Sequence, residues 1–152
     1  MKTLSPKVVG VDDAPQLTVL GDHQRVRLRA EDTGGLLALV EQQNPPGTGV
    51  PFHVHSREDE AFHVVEGQVS FRVDKDSFVA GPGTTVFAPR GTPHAFQVVG
   101  ESNAKVLLTI TPGGLERMFE ELAKLPATLP PDMAKVARIC SRYGITIVED
   151  GA

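Results

Sequence analysis

The chain has 152 residues, 40% of them hydrophobic and 22% charged, with a formal net charge of −4. This size and composition suit one globular domain with a buried core and exclude a disordered chain. The acidic balance, with no basic run, speaks against nucleic-acid phosphates or an anionic membrane as partners.

Met1 to Gly10 lacks an apolar stretch of signal-peptide length, and no segment approaches the length that crosses a bilayer. A cytoplasmic location is therefore expected. The lone cysteine, Cys140, cannot form an internal disulfide, which agrees with a reducing compartment. It reads as a small buried hydrophobe on a helix.

The 15 glycines and 12 prolines mark frequent turns. Val26, Leu28 and Ala30 alternate with Arg25, Arg27 and Arg29, the period of a half-buried strand with its arginines outward. Leu36 to Gln43 is a second apolar run, ended by the turn Asn44-Pro45-Pro46-Gly47. From Pro51 onward, strands are predicted at Ala61–Glu66, Gln68–Val73, Ser77–Ala80, Thr84–Ala88, His94–Val99 and Ala104–Thr111. Short strands at even spacing, separated by Gly/Pro turns, predict an all-β sandwich or barrel. After Pro112-Gly113-Gly114, Leu115, Met118, Phe119, Leu122 and Leu125 fall at helical spacing. Pro126 to Pro131 breaks that helix. A second helix is predicted from the N-cap Asp132 to Gly144, with Met133, Val136, Ala137 and Cys140 on one face. Ile145–Val148 reads as a closing strand. Both helices are too short to stand alone in water and are expected to pack on the barrel. No linker interrupts this plan, so residues 1–152 read as one domain, with a barrel core over about 25–111 and helices over about 114–143.

Two clusters carry the chemistry. His53 and His55 are two residues apart, so on a strand both side chains leave one face, and Glu60 follows after a short connection. By composition Glu58, Asp59 and Glu60 are equal candidates for the carboxylate. The second cluster is the turn Pro89-Arg90-Gly91-Thr92-Pro93 followed by His94, a third imidazole from a separate hairpin. Three neutral imidazoles and one carboxylate suit a single divalent transition metal, whether Fe, Mn, Ni, Co, Cu or Zn.

Together these clusters resemble the cupin superfamily. Gly47, His53, His55, Glu60 and Gly67 match the spacing of its first motif. Gly83, Pro89, Gly91 and His94 match its second, whose terminal Asn position holds Val98 here. The text around DEAFHVVEG and GPGTTVFAPRGTPHAF is most similar to small bacterial cupins related to quercetin dioxygenases. The resemblance implies a six-to-eight-stranded cupin-type double-stranded β-helix (jelly-roll) barrel, with the short C-terminal helical extension read above. It also implies His53, His55, Glu60 and His94 as metal ligands, and often a dimer. The distance from Glu60 to Gly67 favours Glu60 as the carboxylate, leaving Glu58 and Asp59 solvated.

If Glu60 points inward, so do Phe62 and Val64, and His63 points out. Phe96 and Val98 share the inward face of His94. With Met118 these residues form a candidate apolar pocket for a small-molecule substrate. His23 is expected at the surface. An O2-dependent dioxygenase of a small aromatic or enolic compound, with Glu60 also taking a proton, is the first functional expectation. The alternative is a metal-dependent isomerase or a non-catalytic metal- or ligand-binding module. Arg57, Arg72 and Arg90 are too scattered to build a sugar-phosphate site. A homodimer is expected because Val106-Leu107-Leu108 and Ile110 make both faces of one strand apolar.

Overall fold

The computed structural model describes residues 3–127 and 130–149. Two antiparallel sheets form the barrel. The six-stranded sheet runs in the order β1 (Gln16–Val19), β2 (Asp22–Leu28), β3 (Ala38–Asn44), β10 (Ala104–Thr111), β5 (Asp59–Glu66) and β8 (Thr85–Ala88). The five-stranded sheet runs β11 (Ile145–Ile147), β4 (Gly49–His55), β9 (His94–Val99), β6 (Gln68–Val73) and β7 (Asp76–Ala80).

Binary patterning explains most of this. Along β10, Ala104, Val106, Leu108 and Ile110 are buried while the residues between them are half-exposed. Their inward side chains meet Val40, Phe62 and Val64 of the same sheet and Val69, Phe71 and Val98 of the other. Each such buried aliphatic or aromatic side chain contributes roughly 1.5–3 kcal/mol of transfer free energy.

The eleven strands among the described residues exceed the expected six to eight, with β1 and β11 at one end of the two sheets and β8 and β7 at the other. β1 escaped the sequence reading because its only apolar positions are Leu17 and Val19. It is defined instead by a tight hairpin, with Leu20 and Gly21 at φ 52° and 87°. The predicted alternation through Ala30 is corrected. β2 ends at Leu28, and Ala30 opens a one-turn helix, α1 (Ala30–Thr33), closed by Gly34 at φ 64°. The arginines of β2 are not simply solvated. Arg27 pairs with Glu41 at 2.6 Å, and Arg25 donates to the Ala14 carbonyl at 2.5 Å.

Helix α2 (Glu116–Ala123) buries Met118, Phe119 and Leu122. The Glu116 side chain, fully buried, accepts 2.8 Å hydrogen bonds from Ala30 N and Gly114 N and so ties α1 to the start of α2. Helix α3 (Met133–Arg142) begins at Asp132, whose side chain accepts from Lys135 N. Of its predicted apolar face only Val136 and Cys140 are buried; Met133 and Ala137 are exposed, so that stripe is narrower than its spacing suggested. Part of the Pro126–Pro131 break lies outside the described residues. No helix among the described residues is long and apolar enough to cross a membrane.

Candidate metal centre

Three strands deliver four side chains to one point. His53 and His55 leave the inner side of β4, Glu60 that of β5, and His94 that of β9. The register sets His53 directly opposite His94, just after an irregularity between Val50 and His53. Such a bulge re-aims the residues beside it. On its other edge β4 is held by β11, with Ile147 opposite His53 and Ile145 opposite His55. The turn before His94 is fixed by Gly91 N donating to the His55 carbonyl and by Arg90, which binds both carboxylate oxygens of Asp59. Asp59 is thus a half-exposed brace outside the cluster.

One ligand atom from each of His53, His55, Glu60 and His94 lies within 4.8 Å of the others. His53 Nδ1 lies 2.8 Å from the Pro51 carbonyl, and His94 Nδ1 lies 3.0 Å from the Thr92 carbonyl. A carbonyl oxygen only accepts, so both Nδ1 atoms carry the proton and both Nε2 atoms present lone pairs inward. His53 Nε2 is 3.0 Å from His55 Nε2, while His55 Nε2 and His94 Nε2 are each 2.9 Å from Glu60 Oε1. Acceptors crowded this closely repel one another unless a proton or a cation sits among them. Three nitrogens and one carboxylate oxygen therefore fit a divalent transition metal.

The electrostatics agree with that reading. Burial, helped by the nearby His94, lowers the His53 pKa to about 4, so this ring is neutral at pH 7. Burial also opposes charge on His55, but the carboxylates of Glu58 and Glu60 outweigh it and raise its pKa to about 9. Burial would raise Glu60, yet the hydrogen bond and positive charge of His55 hold it well below the usual carboxylate range. Without metal, one proton on His55 faces an ionised Glu60.

Glu58, expected in solvent, is instead buried at 6% exposure. Its Oε2 lies 3.8 Å from His55 Nδ1, beyond hydrogen-bond length, and neither atom has another partner. A small rotation of either side chain would close that gap and fix the outer nitrogen of His55, the arrangement usual behind a metal-bound imidazole. The residue's place three positions after His55 was the only signal for it in the sequence.

The cluster opens into a cavity of about 120 Å³. Phe62, Phe96 and Met118 line it, together with Leu108 and Phe119. The Phe62 ring lies 5.9 Å from the His94 ring and 5.8 Å from the Phe96 ring. Val64 and Val98, expected in the same wall, are buried in the core and are not among the lining residues. At Val98, where the second motif ends in Asn, the backbone N–H donates to the Thr48 carbonyl and the carbonyl accepts from Gly47 N, both at 2.8 Å. His63 is exposed and bonds Thr85, and His23 is half-buried beside Gln16 and Thr18.

The family model for the cupin domain matches residues 40–110. Over 117 residues the chain is 24% identical to quercetin 2,3-dioxygenase of Bacillus subtilis (strain 168), a match covering 77% of this chain and 34% of that protein. The chain thus spans about a third of the length of that relative. It is 25% identical over 115 residues to the polyketide synthase CurC of Streptomyces cyaneus, covering 74% of this chain and 73% of that one. The solved structure of KdgF from Halomonas sp. has the same fold, with a TM-score of 0.65 at 18% identity over 74% of this chain and 99% of that one. The chain belongs to the cupin superfamily.

Proposed function

We propose that this cupin is an O2-dependent dioxygenase of a small aromatic or enolic compound, using one divalent transition metal held by His53, His55, Glu60 and His94. One observation carries the reading: the donor cluster opens onto a narrow cavity walled by Phe62, Phe96, Leu108 and Met118. At about 120 Å³, it is close to the roughly 150 Å³ of an engineered cavity that accepts benzene, so a single ring with short substituents suits it. No Lys or Arg lines it among the described residues, which disfavours a sugar phosphate. The similarity to a quercetin dioxygenase points the same way.

The metal, when bound, would supply Lewis acidity and open positions for oxygen ligands. The residues do the rest. Phe62 and Phe96 hold a flat ring by stacking and exclude water. In this reading Glu60, ionised at neutral pH, would take the proton of a substrate hydroxyl as that oxygen approaches the cluster. The lone thiol of Cys140 is buried and its pKa raised by burial, which suits a reducing, cytoplasmic setting and a structural role. The working form is a homodimer in this reading, because the outer side of the six-stranded sheet leaves Phe87 60% exposed on β8 and Leu107 half-buried on β10.

The test is oxygen uptake by metal-reconstituted protein with a panel of catechols and small diketones, with a flavonol as a substrate too large for the cavity. Uptake that stops when metal is removed is expected. Isomerisation of a panel member at the same rate under strict anaerobiosis would overturn the reading in favour of an isomerase. Tight binding without turnover would leave a binding module.

A further inference from the structure

Away from the metal cluster the cavity wall turns polar. β2 and β3 are adjacent, with Gln24 opposite Gln42, and Asp22, Gln24 and Gln42 all line the cavity. With Asn44 these side chains are at most 4% exposed. Polar groups at such depth cost stability unless each finds a partner. Asp22 partly supplies them. Its Oδ2 accepts from Gln24 Nε2 at 2.7 Å and Gln42 Nε2 at 2.8 Å, and its Oδ1 accepts from Asn44 Nδ2 at 2.5 Å. Because both glutamine NH2 groups turn to the carboxylate, both amide oxygens are turned away from it. Neither Gln24 Oε1 nor Gln42 Oε1 has any hydrogen-bond partner.

The strand register places this pair relative to the metal. Glu60 is on β5 and Gln42 on β3, with β10 between them. Two strand spacings make roughly 10 Å across the sheet, and the register adds roughly 13 Å along it, because Val106 of β10 faces Gln42 whereas Ile110, four residues on, faces Glu60. Leu108 of β10 stands opposite Phe62 on one side and Val40 on the other, so Phe62 and Leu108 form an apolar floor between the two polar ends. The cavity therefore has a metal-binding end, an apolar middle and an end that offers two fixed acceptors.

We propose that Gln24 and Gln42, held in orientation by Asp22, form a specificity subsite for a hydroxyl or amino donor at the end of the ligand remote from the metal. The metal end of this assignment rests on the functional reading above; the acceptor end rests on the two unpartnered oxygens alone. A ligand lacking the donor leaves both oxygens buried and unpaired, which is the situation that discriminates most sharply between near-isosteres.

The test compares 4-(2-hydroxyethyl)catechol with 4-propylcatechol, which differ in shape by little more than hydroxyl for methyl. Both are titrated calorimetrically and anaerobically into Zn(II)-loaded and metal-free protein. The hydroxyethyl compound should bind at least about tenfold more tightly to the wild type, the weight of one well-made hydrogen bond. Gln42→Met, which leaves Asp22 two of its three donors, should abolish most of that preference. The wild-type comparison decides the matter alone if the variant does not fold. Equal affinities, tighter propyl binding, or no binding of either compound overturns the subsite, and equal binding that requires Zn(II) does so while leaving the metal reading intact. A hydroxyl preference identical with and without Zn(II) upholds the subsite and removes the metal from ligand recognition.

Discussion

Glu60 Oε1 lies 2.9 Å from His55 Nε2 and at the same distance from His94 Nε2, so a single carboxylate oxygen is shared by two imidazoles from different strands. Glu60→Gln keeps the shape but removes the charge that offsets a divalent ion. It should weaken metal retention more than Glu58→Gln, and His53→Ala with His94→Ala should abolish stoichiometric binding. Metal analysis after dialysis against a chelator reads this directly. Equal losses from Glu58→Gln and Glu60→Gln would mean that Glu60 is not the ligand.

Glu58 acts only through His55 in this arrangement. Glu58→Gln should lower metal affinity by about 10–100-fold, the usual effect of loosening a ligand's outer partner. Competition titration with a coloured chelator measures it. An unchanged affinity would leave Glu58 as mere filler beneath the turn.

The pH dependence has a definite sign. His55, with its pKa raised to about 9, holds a proton in the metal-free protein at pH 7, while His53, at about 4, and Glu60 do not. Metal must displace that proton, so affinity should rise about tenfold per pH unit up to about pH 9 and then level off. Acid should release the metal. In the metal-free fold the raised His55 pKa gives stability below its ordinary value of 6.5 that is lost as pH rises through about 9. The depressed pKa values of His53 and Glu60 act oppositely, giving stability that is lost in acid. Calorimetry in buffers of different ionisation enthalpy should find close to one proton released per metal at pH 7.5. Zero release would contradict the charge state assigned to His55.

Stability tests the Glu116 brace. Glu116→Ala leaves the amides of Ala30 and Gly114 buried without acceptors, a cost of roughly 2–4 kcal/mol. Urea unfolding should show it as a lower midpoint with unchanged slope. A loss below about 0.5 kcal/mol, the range of ordinary surface changes, would deny the brace any importance.

Gly49 lets β4 approach β9 beside the centre. A Cβ there would collide with the Phe96 carbonyl oxygen and lie 3.0 Å from Gln97 Cα. Gly49→Ala should push the two strands apart, separating His53 from His94, and so reduce metal retention as well as melting temperature. A variant that melts lower but keeps full metal affinity would show that the strain is absorbed away from the histidines.

Much of the architecture could be read from the residues themselves. β10 buries every second residue although Val106-Leu107-Leu108 is apolar without a break, and the spacing of His53, His55, Glu60 and His94 survives because strand geometry converts spacing into direction. The reading failed where polar side chains face inward. Asp22 and Gln24 share the inner side of β2 with Val26, so their polarity disguised a buried strand face and hid the polar wall of the cavity. Glu58 failed for a related reason, since an acidic triplet in a turn looks solvated until the fold shows His55 above it. Val64 and Val98 followed the right alternation, but inward means core at one level of a barrel and cavity at another. Periodicity does not distinguish the two.

The outer edge of β4 is completed by β11, a strand encoded about 90 residues after His55. During synthesis His53, His55, Glu60 and His94 all leave the ribosome well before Ile145 to Ile147. In that interval the strand carrying His53 and His55 has an unpaired row of amides and carbonyls beside two imidazoles. Such an edge is prone to pair with other chains. Metal captured early would tether three strands of an unfinished barrel, whereas metal captured late would enter a closed one. The order of the sequence thus leaves the edge of β4 beside His53 and His55 open until the last strand is made.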